Sequence, residues 1–427
     1  MPAPGDLPRL RIILTSIEYP PDPLSSGIGS YTRTLSRLLT ARGHKIHVVA
    51  RGIEGDTVNE EEGVSVHRLT PTRPELPEHL GIREILTLIQ RDLVGEWCYR
   101  RKTAERIDKL ITTEGIDLIE AAEHLAEPIL YRPARHPMIP LVVRLHTPLS
   151  YSETVVPNIP EIARRVVAAA ERNFLSRATH LSAPSQAAAE IFLRKFGLMN
   201  RQVEVYPNPP TYPPEEVGAS PVEEDPNLVL FVGRITKWKG AHLLIRAIPN
   251  VVARRPEARF VFIGNDNLAV PGFHSMTEYL YSLLPSELHQ RVTFTGHLAH
   301  QQVKDYYRRA TVCVFPSLFE AFGYTCLEAM TFGKAIIGSK RGGMVELLDG
   351  GRAGLLSAPE VEELSHQLLR FWMTPNYVGN SVRALVGGCS STTARRESSM
   401  VSRISTTGPY GNSVRARAGR QHGNPKA

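Results

Sequence analysis

Cysteine is scarce in this 427-residue chain, and charge imbalance and long apolar runs are nearly absent. The four cysteines are Cys98, Cys313, Cys326 and Cys389, and no spacing among them reads as a zinc site. Cys313 and Cys326 sit in apolar surroundings, which predicts buried free thiols and fits a reducing cytosol. No stretch approaches the roughly 20 apolar residues that a membrane span needs. "MPAPGDLPRLRIILTS" at the N-terminus lacks a signal-peptide core; its apolar run of about four residues reads as a strand. The expected location is cytoplasmic, with peripheral contact at the inner face of a membrane left open. The formal net charge of +7 would suit a nucleic-acid partner. From Met373 onward, however, eight Lys/Arg face the single acid Glu397, which accounts for the whole excess. The body of the protein is neutral, so no nucleic acid is expected.

Familiar phosphate and metal signatures are missing too. "VGRITKWKG" (232–240) is no P-loop, and "SSGIGSYT" (25–32) is no dinucleotide fingerprint, because Thr32 stands at the third glycine position. No convincing Asp-x-Asp pair exists, and "EGD" (54–56) reads as a turn.

What is present is a repeated alternation of short apolar runs and helical spacings. "LRIILTS" (10–16), "GSYTRTLSRLLTARGH" (29–44) and "KIHVVA" (45–50) form a strand, a helix and a strand. Further strands read at 116–121, 139–146 and 180–185. Runs that are apolar throughout fit a parallel sheet covered on both faces. "PNPPTYPPEEVGASPVEEDP" (207–226) reads as a linker, after which strands restart at 228–233, 258–264, 291–296, 311–317 and 334–339. The organisation is α/β: a Rossmann-like domain over 1–208, a linker over 209–226 and a second Rossmann-like domain over 227–372. Residues 373–427, with "GNSVRA" twice, read either as a disordered basic tail or as frame-shifted sequence replacing the end of a final helix.

Four stretches carry candidate chemistry. In "LFEAFGYTCLEAM" (318–330), Glu320 and Glu328 resemble a paired acid and base. Eight helical residues would separate them by about 12 Å and about 80°, against roughly 5–9.5 Å for a glycosidase pair, so one dyad is not expected. Gly323, Tyr324 and Thr325 would instead open a helix whose free N–H groups suit phosphate; a capping acid plus a solvated one explains the glutamates equally well. Arg234 and Lys239 flank a strand-to-helix turn and could hold a diphosphate, or be solvated cations; Lys237 and Trp238 read as exposed turn residues. Gly27 and Gly29 would let backbone approach a ligand, or form a plain loop. His146 ends a strand in "VVRLHTP", a structural or a functional position.

Taken in order, "GIGSY…RGHKIHVVA", "GRITKWKG", "FVFIGND", "RVTFTGHL" and "VFPSLFEAFGYTCLEAMTFGKAIIGSKRGGMVELLDGGRAGLL" resemble glycosyltransferase family 4 over residues 9 to 372. The resemblance implies a GT-B architecture, two Rossmann-like domains facing across a cleft. It implies a retaining hexosyltransferase with a nucleotide-diphosphate sugar as co-substrate, no cofactor and no metal. The expected acceptor is a carbohydrate or a lipid-linked or small molecule. By resemblance, Arg234 and Lys239 bind the donor diphosphate, Glu320 touches the transferred sugar and Glu328 the ribose. Gly323, Tyr324, Thr325 and Gly29 lie near the phosphates, Gly264 lies in the donor site, Leu298 lies at the base and His146 near the reacting sugar. Ser185 and Asn208 match recurring positions read as structural. The family ends in a helix that crosses back onto the first domain, and the tail here departs from that pattern. Two other readings remain: a nucleotide-sugar epimerase or hydrolase, and a donor-binding protein inactivated by its altered C-terminus. The basic stretch 96–110 reads as a solvated helix face or as a lipid contact.

Overall fold

The computed structural model describes residues 8–20, 27–71, 83–148, 161–212, 222–266 and 270–373. The expected tail lies outside the described residues, as does Cys389. Two sheets organise the chain, each wrapped by helices.

The first sheet has eight strands: β1 (Arg11–Ser16), β2 (Lys45–Arg51), β3 (Thr57–Glu61), β4 (Val64–Leu69), β5 (Leu118–Ala122), β6 (Leu141–Arg144), β7 (His180–Ala183) and β8 (Val203–Val205). Their order is β3-β4-β2-β1-β5-β6-β7-β8, parallel except for the β3–β4 hairpin. Helices α1 (Gly27–Ala41), α2 (Arg83–Glu114), α3 (Glu161–Ser176) and α4 (Gln186–Phe196) connect them. β5 is buried at every position, Glu120 included, as a strand between two helix layers must be. Behind it, Ile13, Val49, Ile107, Ile119, Val143 and Phe192 form one core.

The second sheet has β9 (Leu228–Val232), β10 (Arg259–Ile263), β11 (Val292–Gly296), β12 (Val312–Phe315), β13 (Ala335–Ser339) and β14 (Leu355–Ser357). The order β11-β10-β9-β12-β13-β14 is parallel throughout, the doubly wound arrangement whose direction reverses beside β9. Its helices are α5 (Ala241–Val252), α6 (Met276–Ser282), α7 (His300–Arg309), α8 (Tyr324–Thr331), α9 (Met344–Leu347) and α10 (Val361–Met373), with α10 packed on α5.

The strands expected from apolar runs are all present, most of them one or two residues shorter; those expected over 139–146 and 311–317 shrink to four residues each, and β2 runs one residue longer. Those without such runs were not anticipated. β3 is polar and exposed along its length except at Glu61, β4 alternates, and β8 and β14 have three residues each. Asp56 of the expected turn accepts from Thr70 N–H at 2.8 Å and pairs with Lys102 at 2.9 Å, so it ties the hairpin to α2. The described ends of the linker dock on the second domain: Tyr212 is buried there, and Glu224 pairs with Lys334 at 2.9 Å. Cys313 and Cys326 are buried free thiols, and burial raises both above the ordinary thiol range.

Candidate active site

A cleft of about 480 Å³ runs between the carboxyl ends of the two sheets. Every predicted site residue lines it except Gly29. The glycine stretch is not a loop there: α1 begins at Gly27, and Gly29 packs inside its first turn. A Cβ on Gly29 would lie 1.9 Å from Glu18 O, so the glycine serves the approach of α1 to the chain after β1. Gly27 and Ser30 face the cleft instead.

The second-domain wall forms where the strand order reverses. A Cβ on Gly264, after β10, would meet Gly233 O at 1.9 Å, so only glycine lets these strand ends lie together. Arg234 follows and is exposed, and among the described residues no hydrogen bond or ion pair holds its guanidinium. The turn into α5 is set by Lys239 N–H donating to Thr236 Oγ1 at 3.1 Å. Lys239 Nζ then meets Glu320 Oε1 at 2.5 Å, and Ser317 Oγ donates to the same oxygen at 2.9 Å. Trp238 is not an exposed turn residue. Its ring packs edge-on to Phe319 at 5.9 Å, and its carbonyl accepts from Leu318 N–H at 2.8 Å. That contact joins the 232–240 turn to the loop carrying Glu320. Lys237 is exposed, as expected, with its ammonium over the Tyr279 ring.

The helix expected over 323–332 is α8. Gly323 caps it in the left-handed region, at φ +100°, and no side chain caps its N-terminus. The first N–H groups therefore stand at the cleft beside the cation pair, where the helix end favours an anion. Glu328, inside α8, lines the same cleft with a different partner. Tyr307 OH donates to its Oε2 at 3.0 Å, and burial pushes its carboxyl up to about 7. The two glutamates thus have separate partners and separate environments, as the spacing argument requires.

The first-domain wall is built from strand ends. His146, two residues past β6, donates its backbone N–H to Glu123 Oε2 at 2.8 Å, and its ring meets Tyr31 edge-on at 4.9 Å. Burial, then the charges of Arg144 and His124, hold the imidazole well below its usual range, so it is neutral. Burial also pushes Glu123 up to about 8, and the neighbouring Glu171 adds to the rise. Tyr31 OH donates to buried Glu120 at 2.7 Å. Buried Arg144 donates to Asn208 Oδ1 at 2.6 Å, which fixes the chain as it leaves the first domain. Asn208 is therefore anchored structurally, and it also lines the cleft.

Sequence reasoning missed Glu18, His124, Thr147 and Asn265, which also line the cleft. Each follows a strand end, and that position is the one signal that could have found them. Among the described residues no cluster of three His, Cys, Asp or Glu could hold a metal ion, and no helix is long and apolar enough to cross a membrane.

Comparisons with known proteins agree with this architecture. Residues 26–209 match the glycosyl transferase 4-like domain, and residues 214–377 match glycosyl transferases group 1. A D-inositol 3-phosphate glycosyltransferase of Catenulispora acidiphila is 26% identical over 381 residues, covering 82% of this chain and 84% of that protein. A shorter match, 35% identical over 128 residues, covers 30% of this chain and 30% of an uncharacterised glycosyltransferase of Methanocaldococcus jannaschii. In structure, sucrose-phosphate synthase of Thermosynechococcus elongatus superposes with a TM-score of 0.70 at 22% identity, covering 94% of this chain and 100% of that one. HepE of Anabaena, solved with UDP and glucose, gives a TM-score of 0.64 at 19% identity, covering 92% and 100%. The chain belongs to the GT-B glycosyltransferases of the family 4 type and is a transferase enzyme.

Proposed function

We propose that this enzyme moves a hexosyl group from a nucleotide-diphosphate sugar to a carbohydrate, lipid-linked or small-molecule acceptor, with retention and without a metal. The observation that carries the reading is the grouping on one wall of Arg234, the Lys239–Glu320 pair and the uncapped start of α8. A diphosphate placed there meets two cations and a helix N-terminus, fixed before the reaction begins. Glu320 Oε1 is engaged by Lys239 and Ser317, and Glu328 Oε2 by Tyr307, and neither is assigned the role of nucleophile. Glu320 is left to orient sugar hydroxyls and Glu328 those of the ribose. The bond from the anomeric carbon to the diphosphate oxygen breaks, and its electron pair stays on that oxygen. The acceptor oxygen bonds to the same face, and its proton passes to the departing phosphate. Neutral His146 hydrogen-bonds the reacting sugar from the opposite wall. Similarity to HepE, whose structures hold UDP and glucose, makes UDP-glucose the first donor to test.

Thermal-shift screening against UDP- and GDP-sugars, followed by turnover with and without acceptors, tests the proposal. A donor that stabilises the protein and is consumed chiefly when an acceptor is present supports it. Full turnover of the donor alone would indicate an epimerase or hydrolase. Binding without product across an acceptor panel would indicate a binding protein.

A further inference from the structure

The loop that presents Glu320 to the cleft belongs to the second domain in sequence but is mounted on the first. Phe319 is 7% exposed and lies in the first domain's core, edge-on to Phe192 of α4 at 6.2 Å. Ser185, the N-cap of α4, donates its hydroxyl to Ala321 O at 2.7 Å. From the other side, Gly343 N–H donates to Glu320 O at 2.8 Å. Gly343 lies so flush that a Cβ there would sit 2.2 Å from Ala321 O and 2.7 Å from Ser185 Oγ.

Three residues further on, Glu346 of α9 completes the junction. One carboxylate oxygen accepts from Gln186 N–H and the other from Ala187 N–H, each at 2.8 Å. Ser185 Oγ takes the next amide, that of Ala188, at 3.1 Å, and the helical ladder starts with Ala189 N–H on Ser185 O. The first two amides of α4 are therefore capped by a carboxylate from the other domain. An anion at a helix N-terminus is held both by its hydrogen bonds and by the helix dipole.

We propose that Glu346 is a positioning residue for transfer: it clasps the N-terminus of α4 and fixes the first domain against the loop that carries Glu320. This junction is then the pivot of any closing motion. Residues on its two sides keep their relation while the cleft walls away from it change theirs. The proposal rests on the reading of Glu320 as a donor-binding residue.

The test uses the full chain with Glu346→Ala, Glu346→Gln and Glu346→Lys. Glutamine keeps one acceptor, alanine keeps none, and lysine sets a cation against the positive helix end. Hydrogen exchange across 319–323 and at the amides of Gln186 and Ala187 should quicken in the order Gln, Ala, Lys. The small-angle scattering profile of the lysine variant should show a more open or more varied arrangement of the domains. With UDP-glucose as probe, kcat should fall by about three- to tenfold in the alanine variant while the donor KM stays within about twofold. Unchanged exchange over 319–323 together with an unchanged scattering profile in Glu346→Lys overturns the clasp. A lower Tm with kcat unchanged also overturns it, since that is the behaviour of a merely structural cap. If the wild-type chain does not turn over UDP-glucose, the donor reading is what fails, and exchange and scattering still decide the clasp.

Discussion

The two walls of the cleft handle charge in opposite ways. On the second domain, charge stands in the open: Arg234 is exposed, Lys239 lies beside Glu320, and the start of α8 is bare. On the first domain, charge is suppressed. His146 is neutral; burial pushes the carboxyl of Glu123 behind it up to about 8, and that of Glu127, bonded to Tyr99, up to about 7. One wall offers a ligand fixed charge; the other presents the neutral imidazole of His146 beside Thr147 and His124. Charge that develops on a diphosphate is stabilised by the first kind of wall. The second wall meets an acceptor with a neutral imidazole, whose pKa is held down by burial and then by the Arg144 charge behind it.

The sharpest way to break this contrast is to remove one cation. Lys239→Ala should lower turnover by about a hundredfold, the scale of losing one fixed transition-state partner. Lys239→Arg keeps the charge and should lose less. Because Lys239 also pairs with Glu320, the double variant Lys239→Ala/Glu320→Gln is the control. If relief of an unpaired Glu320 explained the loss, the double variant would recover activity, and the electrostatic account of this wall would fail.

A smaller effect is expected on the opposite wall. His146→Ala should lower kcat by about tenfold, since a neutral hydrogen bond is lost rather than a charge. The imidazole pKa lies well below its usual range, so its proton is already gone above that range. The rate of the wild type between pH 6 and 8 should therefore show no inflection that His146→Ala abolishes. An inflection near pH 6.5 that disappears in the variant would mean that the imidazole titrates in the working range.

The same contrast explains what was legible in the sequence. The second-domain wall is local: its cations lie within one turn, and its helix start and both glutamates lie within "LFEAFGYTCLEAM". Propensity, capping and spacing act over such distances, so the motifs could be read without a fold. The first-domain wall is assembled from chain ends far apart. His146 depends on Glu123, and Tyr31 on Glu120, pairs that meet only through the order of the strands. Beyond their places after strand ends, nothing local marks Thr147 or His124 as cleft residues. Trp238 was misread for the same reason: its partner Phe319 is remote in sequence, so a turn residue appeared exposed. The β3–β4 hairpin escaped because β3 is an exposed polar edge strand with no apolar face to betray it.

Glu328 is the exception that sharpens the comparison, a titrating group on the charged wall. Its carboxyl is pushed up to about 7, so it is protonated below that pH and ionised above it. An ionised carboxylate accepts two ribose hydroxyls better than the acid does. Donor affinity should tighten by about threefold between pH 6 and 8, and Glu328→Gln should flatten that dependence. A wild-type Kd that is constant over this window would show that the ribose does not sense this carboxylate.

The remaining test reads the suppressed charge of the first domain through stability alone. The folded pKa of Glu123, about 8, lies above its unfolded value, so the folded protein binds the proton more tightly. The resulting stabilisation is fully present below about pH 4.3, the unfolded value, and is lost as pH rises through about 8. Glu123→Gln imitates the protonated acid, keeps an acceptor for His146 N–H and cannot ionise. The two proteins should differ little in denaturation midpoint below about pH 4, where the acid is protonated in the folded and largely in the unfolded state. Between pH 6 and 9 the wild type should lose about 3 kcal/mol more than the variant, about 1.4 kcal/mol for each pH unit up to the folded pKa. Glu127 and Glu328 titrate in both proteins, so the difference isolates Glu123. Equal losses would place ionised charge behind His146 at neutral pH, and the first-domain wall would then no longer be the neutral counterpart of the second.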